Sequence, residues 1–151
     1  LQFTHDHSSD ENDMILDCLE KKIKMESTFY FHLKNHPRFN NEVDLSRILS
    51  LENVGLISGD FKDIFKKCSF HMTFYSTVTF EAGLLGIPTC FLKLPDSIPN
   101  IFFEQYKYPF FNYMLSDLYN SYSVCSLKSS EWANQFYQPF SSKSFLNSLK
   151  K

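Results

Sequence analysis

Short runs rich in β-forming residues alternate with stretches of helical spacing along this chain, and that alternation limits its fold more than any other feature. The runs are Leu1–Thr4, Thr28–Leu33, Asn53–Ile57, Ser69–Phe74, Ile87–Leu94 and Tyr122–Leu127. Each is short and bounded by polar or turn-forming residues, as strands are. Pro37 closes the second run and Pro95 the fifth, since proline removes a donor and disfavours helix at the residue before it.

Between the runs, apolar residues recur every three or four positions. Met14, Ile15, Cys18, Leu19 and Ile23 predict a helix, with Asp10 or Asn12 as its cap. A second helix is expected over Asp44–Leu51. A third is capped by Asp60 and carries Phe61, Ile64, Phe65 and Cys68. A fourth runs from Thr77 to Leu85, with Gly86 placed just past its end. Ser129 or Ser130 is expected to cap a helix through Trp132 and Phe136, and a last one runs through Phe145, Leu146 and Leu149. The segment Asp96–Tyr113 is punctuated by proline and crowded with aromatic rings. It reads as loop and short helix packed over a site or an edge. Strands that alternate with helices imply a parallel sheet covered on both faces. The expected fold class is therefore α/β: a Rossmann-like parallel sheet with helices on both faces. No linker, repeat or low-complexity segment divides the chain, so residues 1–151 are read as a single domain.

A chain of 151 residues is long enough to bury a sizeable core. Its 43% apolar and 21% charged residues place it in the ordinary globular class. The formal charge of -2 gives no broad electrostatic case for nucleic acid. Lys21-Lys22 and Lys66-Lys67 read as solvated helix faces. Cys18, Cys68, Cys90 and Cys125 are scattered, with no CxxC spacing. Free thiols in a reducing compartment are expected rather than a disulfide framework. No apolar run approaches the roughly 20 residues of a spanning helix. No signal peptide is visible, but the chain starts at Leu1 rather than Met, so that absence carries little weight.

Chemistry concentrates in the segment HMTFYSTVTFEAGLLGIPTCF, residues 71–91. In parallel sheets, ligands sit beyond the carboxyl ends of the strands. Ser76-Thr77 falls at such an end and opens a helix whose first amides lack intrahelical partners. Two hydroxyls, those amides and the helix dipole form a candidate phosphate cradle. Glu81 lies one turn further on the same face. It would repel a phosphate in direct contact but can accept hydrogen bonds from a ribose diol. The purely structural alternative is equally open: Ser76 or Thr77 caps a helix, and Glu81 is a surface residue. A second constellation, Lys34-Asn35-His36-Pro37, ends another expected strand on the same edge. Lys34 and His36 would supply charge or donors to an anion held at Ser76-Thr77. The alternative is a solvated turn. His5-Asp6-His7 has the spacing of a metal-ligating pair, but a polar loop is the preferred reading.

These strings resemble the donor-binding half of GT-B glycosyltransferases. The matching elements are Ser76-Thr77, Glu81-Ala82 and Gly86-Ile87-Pro88-Thr89. Lys34-Asn35-His36-Pro37 is similar to the Lys-x-His-Pro motif of bacterial sialyltransferases and of capsule or teichoic-acid polymer transferases. The resemblance covers roughly residues 28–94. It implies transfer of a sugar from a nucleotide-sugar, CMP- or UDP-linked, to a glycan or lipid-linked acceptor in surface polysaccharide synthesis. It implies nucleotide or phosphate contacts at Lys34, His36 and Pro37, phosphate binding at Ser76 and Thr77, and a ribose contact at Glu81. It implies no cofactor and no metal, since the nucleotide-sugar is a substrate. The setting it implies is cytoplasmic, including the inner face of the membrane. Such enzymes carry an N-terminal acceptor domain that often supplies the general base. This chain has no match to it, so the catalytic base is unassigned and a missing domain or partner chain is expected to complete the unit. Two other functions stay open. One is a polyol-phosphate transferase with a CDP-linked donor. The other is a non-catalytic Rossmann-like assembly module that uses the aromatic stretch at 101–113 as an interface.

Overall fold

The computed structural model describes residues 9–34, 43–74, 76–92, 101–110 and 113–137, and the side chains of 9–11, 101 and 103 are excepted. Within these residues the chain is α/β. Helix α1 spans Ser9–Met25, β1 Phe31–Leu33, α2 Ser46–Leu49, β2 Val54–Leu56 and α3 Phe61–Phe65. Strand β3 spans His71–Thr73, α4 Val78–Leu84, β4 Thr89–Phe91, α5 Ile101–Glu104, α6 Leu115–Asn120 and α7 Tyr122–Asn134.

The strands pair in parallel, two by two. β1 pairs β2 with Phe31 opposite Val54 and Leu33 opposite Leu56. β3 pairs β4 with His71 opposite Thr89 and Thr73 opposite Phe91. Among the described residues no ladder joins the two pairs, so they form two small parallel sheets where a single sheet was expected. One core nonetheless spans them. It gathers Ile15, Leu16, Leu19 and Ile23 of α1 with Phe31, Leu33 and Val54, and with Phe74, Cys90, Phe91, Phe102 and Trp132. The helical spacing of the α1 residues is what turns them all to this side.

The second half is closed by an aromatic layer. Phe80 of α4 stacks on Trp132 of α7, with centroids 4.9 Å apart and planes 7° from parallel. Trp132 donates its indole N–H to the Tyr106 carbonyl at 2.7 Å. Phe102, Tyr108 and Phe110 are buried and belong to the core, whereas Tyr113 is exposed. Tyr108 does more than fill space. Its hydroxyl accepts the Thr89 N–H at 2.6 Å, on the β4 backbone, and lies 3.3 Å from the Ser129 hydroxyl. A peptide donor of β4 thereby gains a partner that a strand would otherwise supply. α4 meets α7 at Gly83, where an added Cβ would fall 2.8 Å from Ala133 Cβ and 3.0 Å from the Ser129 carbonyl. Gly86 closes α4 with φ +70°, the left-handed geometry that favours glycine.

Several sequence expectations are corrected. Tyr122–Leu127 is not a strand but the start of α7. Cys125, Ser129, Trp132 and Ala133 are its buried residues. That helical spacing overrides the β-propensity of Tyr122 and Val124 because the packing against α4 demands it. Ser129 and Ser130 consequently lie inside a helix and cap nothing. α1 begins at Ser9, which places Asp10 and Asn12 within it rather than at its cap. Asp60 does occupy the N-cap position of α3, but its side chain makes no capping bond. The expected strand Leu1–Thr4, the loop His5–His7 and the helix through Phe145 lie outside the described residues.

Candidate functional site

β1 and β3 both line a cavity of about 560 Å³. Its walls include Tyr30–Lys34 from β1 and its flanks, Phe61, Ile64 and Phe65 from α3, and Phe70–Thr73 along β3. At the carboxyl ends of the two strands the same cavity is lined by Lys34, Ser76 and Thr77. Parallel pairing runs β1 and β3 toward their loops, and Lys34 follows Leu33 directly. The structure therefore brings together three of the residues singled out from sequence. His36 and Pro37 lie outside the described residues. Glu81 is exposed and is not among the cavity-lining residues. Thr79, Ala82 and Gly83 of α4 are buried and Phe80 packs against the core, while Glu81 remains on the solvent side.

Each of the three is held by local structure. Lys34 donates to the Gly59 carbonyl at 2.9 Å, and its ammonium sits 5.2 Å from the centre of the Phe61 ring. Those contacts tie the charge to the loop after β2 and to the start of α3. Ser76 Oγ accepts the Val78 N–H at 3.3 Å. The structural alternative thus holds for Ser76, which steadies the turn into α4. Thr77 occupies the N-cap position with helical dihedrals (φ -61°, ψ -19°) and makes no side-chain capping bond. Its exposed hydroxyl is presented to the cavity mouth instead. α4 has seven residues and starts at Val78, one position later than the sequence suggests.

Two histidines in the cavity wall were not singled out from sequence. His32 is exposed on β1, between the buried Phe31 and Leu33. His71 opens β3 and faces Thr89, whose hydroxyl lies 3.1 Å from its Nδ1. Its ring meets Phe65 edge-on at 5.7 Å. Burial pushes the His71 pKa down to about 3, and the positive charge of the amino terminus adds to the effect. His71 is therefore neutral at physiological pH and serves as a hydrogen-bonding wall rather than a cation.

The cysteines are free thiols. Cys90 is buried and donates to the Tyr113 carbonyl at 3.4 Å. Burial pushes its thiol pKa up to about 11, which removes it as a nucleophile near neutral pH. Among the described residues no group of three or more His, Cys, Asp or Glu side chains is arranged to hold a metal ion. Among them also, no helix is long and apolar enough to cross a membrane.

Known proteins add nothing to this picture. No family model, curated protein or solved structure matches the chain. The chemistry must be argued from the cavity itself. Its lining includes Lys34 and Lys67, the hydroxyls of Ser76 and Thr77 among others, and the neutral His71 imidazole, beside a largely aromatic wall. That set suits an anionic group attached to a flat or hydroxylated body.

Proposed function

We propose that the chain is the nucleotide-sugar donor-binding domain of a GT-B-type glycosyltransferase, with the two strand pairs as parts of one Rossmann-like sheet. The observation that carries this reading is that Lys34, Ser76 and Thr77, which follow β1 and β3 in the chain, line one cavity, β1 and β3 each being a member of a parallel pair. Ligands of open α/β sheets bind beyond the carboxyl ends of the strands. In the proposed reaction a CMP- or UDP-linked sugar passes to a glycan or lipid-linked acceptor. Negative charge grows on the departing phosphate in the transition state. Groups fixed before the reaction stabilise it most, because they need not reorganise. Lys34, anchored by Gly59 and Phe61, supplies positive charge, and Thr77 and Ser76 supply hydroxyl donors. His36 follows Lys34 by two residues in the Lys-x-His-Pro motif, and in this proposal it contacts the donor nucleotide or its phosphate. The acceptor hydroxyl loses its proton to a base from another domain or chain.

The assembly-module reading loses the feature that favoured it, since Phe102, Tyr108 and Phe110 are committed to the core. The ribose role of Glu81 is the weakest part of the motif-based assignment, because that residue is exposed and outside the cavity lining.

Calorimetric titration of the full chain with CMP, UDP and GDP tests the reading. The double change Ser76→Ala and Thr77→Ala is expected to weaken nucleotide binding by more than about tenfold. That follows if one or two hydrogen bonds to a charged group, roughly 1.5–3 kcal/mol each, are lost. Equal binding by the parent and the double variant, or no binding by either, would remove the proposal. Hydrolysis assays with activated sugars and with a CDP-linked polyol then separate a sugar donor from a polyol-phosphate donor.

A further inference from the structure

Side chains along a strand alternate, so residues two apart share a face. On β1, Phe31 and Leu33 are buried in the core. Tyr30, His32 and Lys34 alternate with them, and all three line the cavity. Tyr30 is 59% exposed, and His32 is exposed as well. Phe29, one position earlier, instead packs edge-on against Phe70 and Tyr119. The Tyr30 and His32 rings lie against each other, with centroids 5.1 Å apart and planes at 59°. The strand register sets Gly55 of β2 opposite His32. A Cβ added at Gly55 would fall 2.7 Å from the Tyr30 hydroxyl. The far end of the Tyr30 ring thus lies over the β2 backbone, at a position with no side chain to lift it. A glycine inside a strand often marks a close approach of this kind.

We propose, on the nucleotide reading of this cavity, that Tyr30 and His32 form the platform on which the base of the bound nucleotide stacks, with its phosphate toward Lys34. The order of chemistry along β1 and its flanks chooses this occupant. A phenol ring, an imidazole and an ammonium follow one another at positions 30, 32 and 34. Neighbours on one face of a strand are about 6.6 Å apart, and a ribose joins a base to its phosphate over a comparable span. The ammonium suits the anionic end of such a ligand, and Lys67 in the same lining adds charge of the same sign. The two rings suit its flat end. Every base has a π-face, so stacking of this kind holds a base with little selection among bases.

Titration of the full chain with CMP, UMP, GMP and ribose 5-phosphate, followed by nuclear magnetic resonance, tests the platform. Ribose 5-phosphate carries the sugar and the phosphate without the base, so the difference in affinity isolates the base. The parent chain is expected to bind each nucleotide at least about fivefold more tightly than ribose 5-phosphate. Ring-current shifts are expected at the Tyr30 and His32 ring protons. Tyr30→Ala is expected to remove that preference for all three nucleotides while ribose 5-phosphate binds as before. Tyr30→Phe keeps the ring and is expected to keep the preference. Gly55→Ala, whose methyl meets the Tyr30 hydroxyl, is expected to lower it. Nucleotide affinity unchanged in Tyr30→Ala would overturn the platform and leave the nucleotide reading standing. Equal losses for nucleotides and ribose 5-phosphate would assign Tyr30 a structural role and overturn the platform as well. No binding of any nucleotide by the parent would remove the nucleotide reading and the platform together.

Discussion

The two halves of this molecule solve the same problem by different means. Each is a three-residue parallel pair that cannot stand alone. The β1–β2 half leans on the aliphatic face of α1, with Leu19 and Ile23 fully buried. Its outer strand is barely covered: Val54 is buried, but Leu56 is 58% exposed. Arg47 of α2 is ion-paired with Asp17 and Glu20 of α1 at the surface. The β3–β4 half is buried throughout β4 and roofed by stacked rings. Its outer strand has a hydroxyl cover from Tyr108. The difference teaches where rigidity and function divide. The aromatic half fixes Ser76 and Thr77 through α4. The aliphatic half carries Lys34 directly after β1, where the Gly59 carbonyl and the Phe61 ring are among its contacts.

If the stacked rings hold the second half together, their removal has the largest effect on stability. Trp132→Ala is expected to cost about 3–5 kcal/mol in urea denaturation, because a buried ring leaves a cavity. A cost below about 1 kcal/mol would mean that the roof is dispensable. Tyr108→Phe keeps the ring but leaves the buried Thr89 N–H without its acceptor, at a cost of about 1–3 kcal/mol. A neutral result would show that the hydroxyl is not what protects β4.

The border between the halves is tested by pH. His71 stays neutral in the folded protein down to about pH 3, whereas an unfolded histidine titrates near 6.5. Between those values the unfolded chain binds the extra proton, so it gains as pH falls. The His71 contribution is full above about pH 6.5 and is lost progressively as pH drops toward 3. His71→Asn should flatten the decline in stability between pH 7 and pH 5. An unchanged slope would mean that another group drives it. The smallest effect belongs to the exposed ion pairs of the first half. Arg47→Ala should leave the unfolding midpoint where it is, since solvent and salt screen such pairs. A marked loss would show that the α1–α2 contact depends on charge after all.

Much of this architecture was readable in the sequence where one periodicity dominated. Ile15, Leu19 and Ile23 announced α1, and Gly86 announced the end of α4. Four of the expected strands were readable too, at Thr28–Leu33, Asn53–Ile57, Ser69–Phe74 and Ile87–Leu94, although each run is longer than its ladder. Phe29 and Tyr30 belong to the entry of β1 rather than to the strand. The Tyr122–Leu127 run misled because tyrosine and valine favour strands in isolation, while the decisive contact is with Gly83 and Phe80, some forty positions earlier. Tyr108 as a cover for β4 was invisible for the same reason: nothing local marks a hydroxyl that will meet a backbone amide across the fold. Lys34, Ser76 and Thr77 were chosen because ligands bind at loops beyond strand ends, and the three do line one cavity. Glu81 was placed by its spacing from Thr77 and by the motif resemblance, and neither says which face of a short helix meets the cavity. His71 was passed over because a histidine within an apolar run carries no spacing signal.

The claim on which the rest depends is that the mouth between the halves receives an anionic nucleotide group. Titrating the isotopically labelled full chain with CMP, UDP and GDP while following backbone amide signals reads this directly. The account predicts saturable shifts centred on Lys34, Ser76 and Thr77, with α7 and the outer face of β2 unmoved. Shifts confined to another surface, or none with any of the three nucleotides, would contradict it.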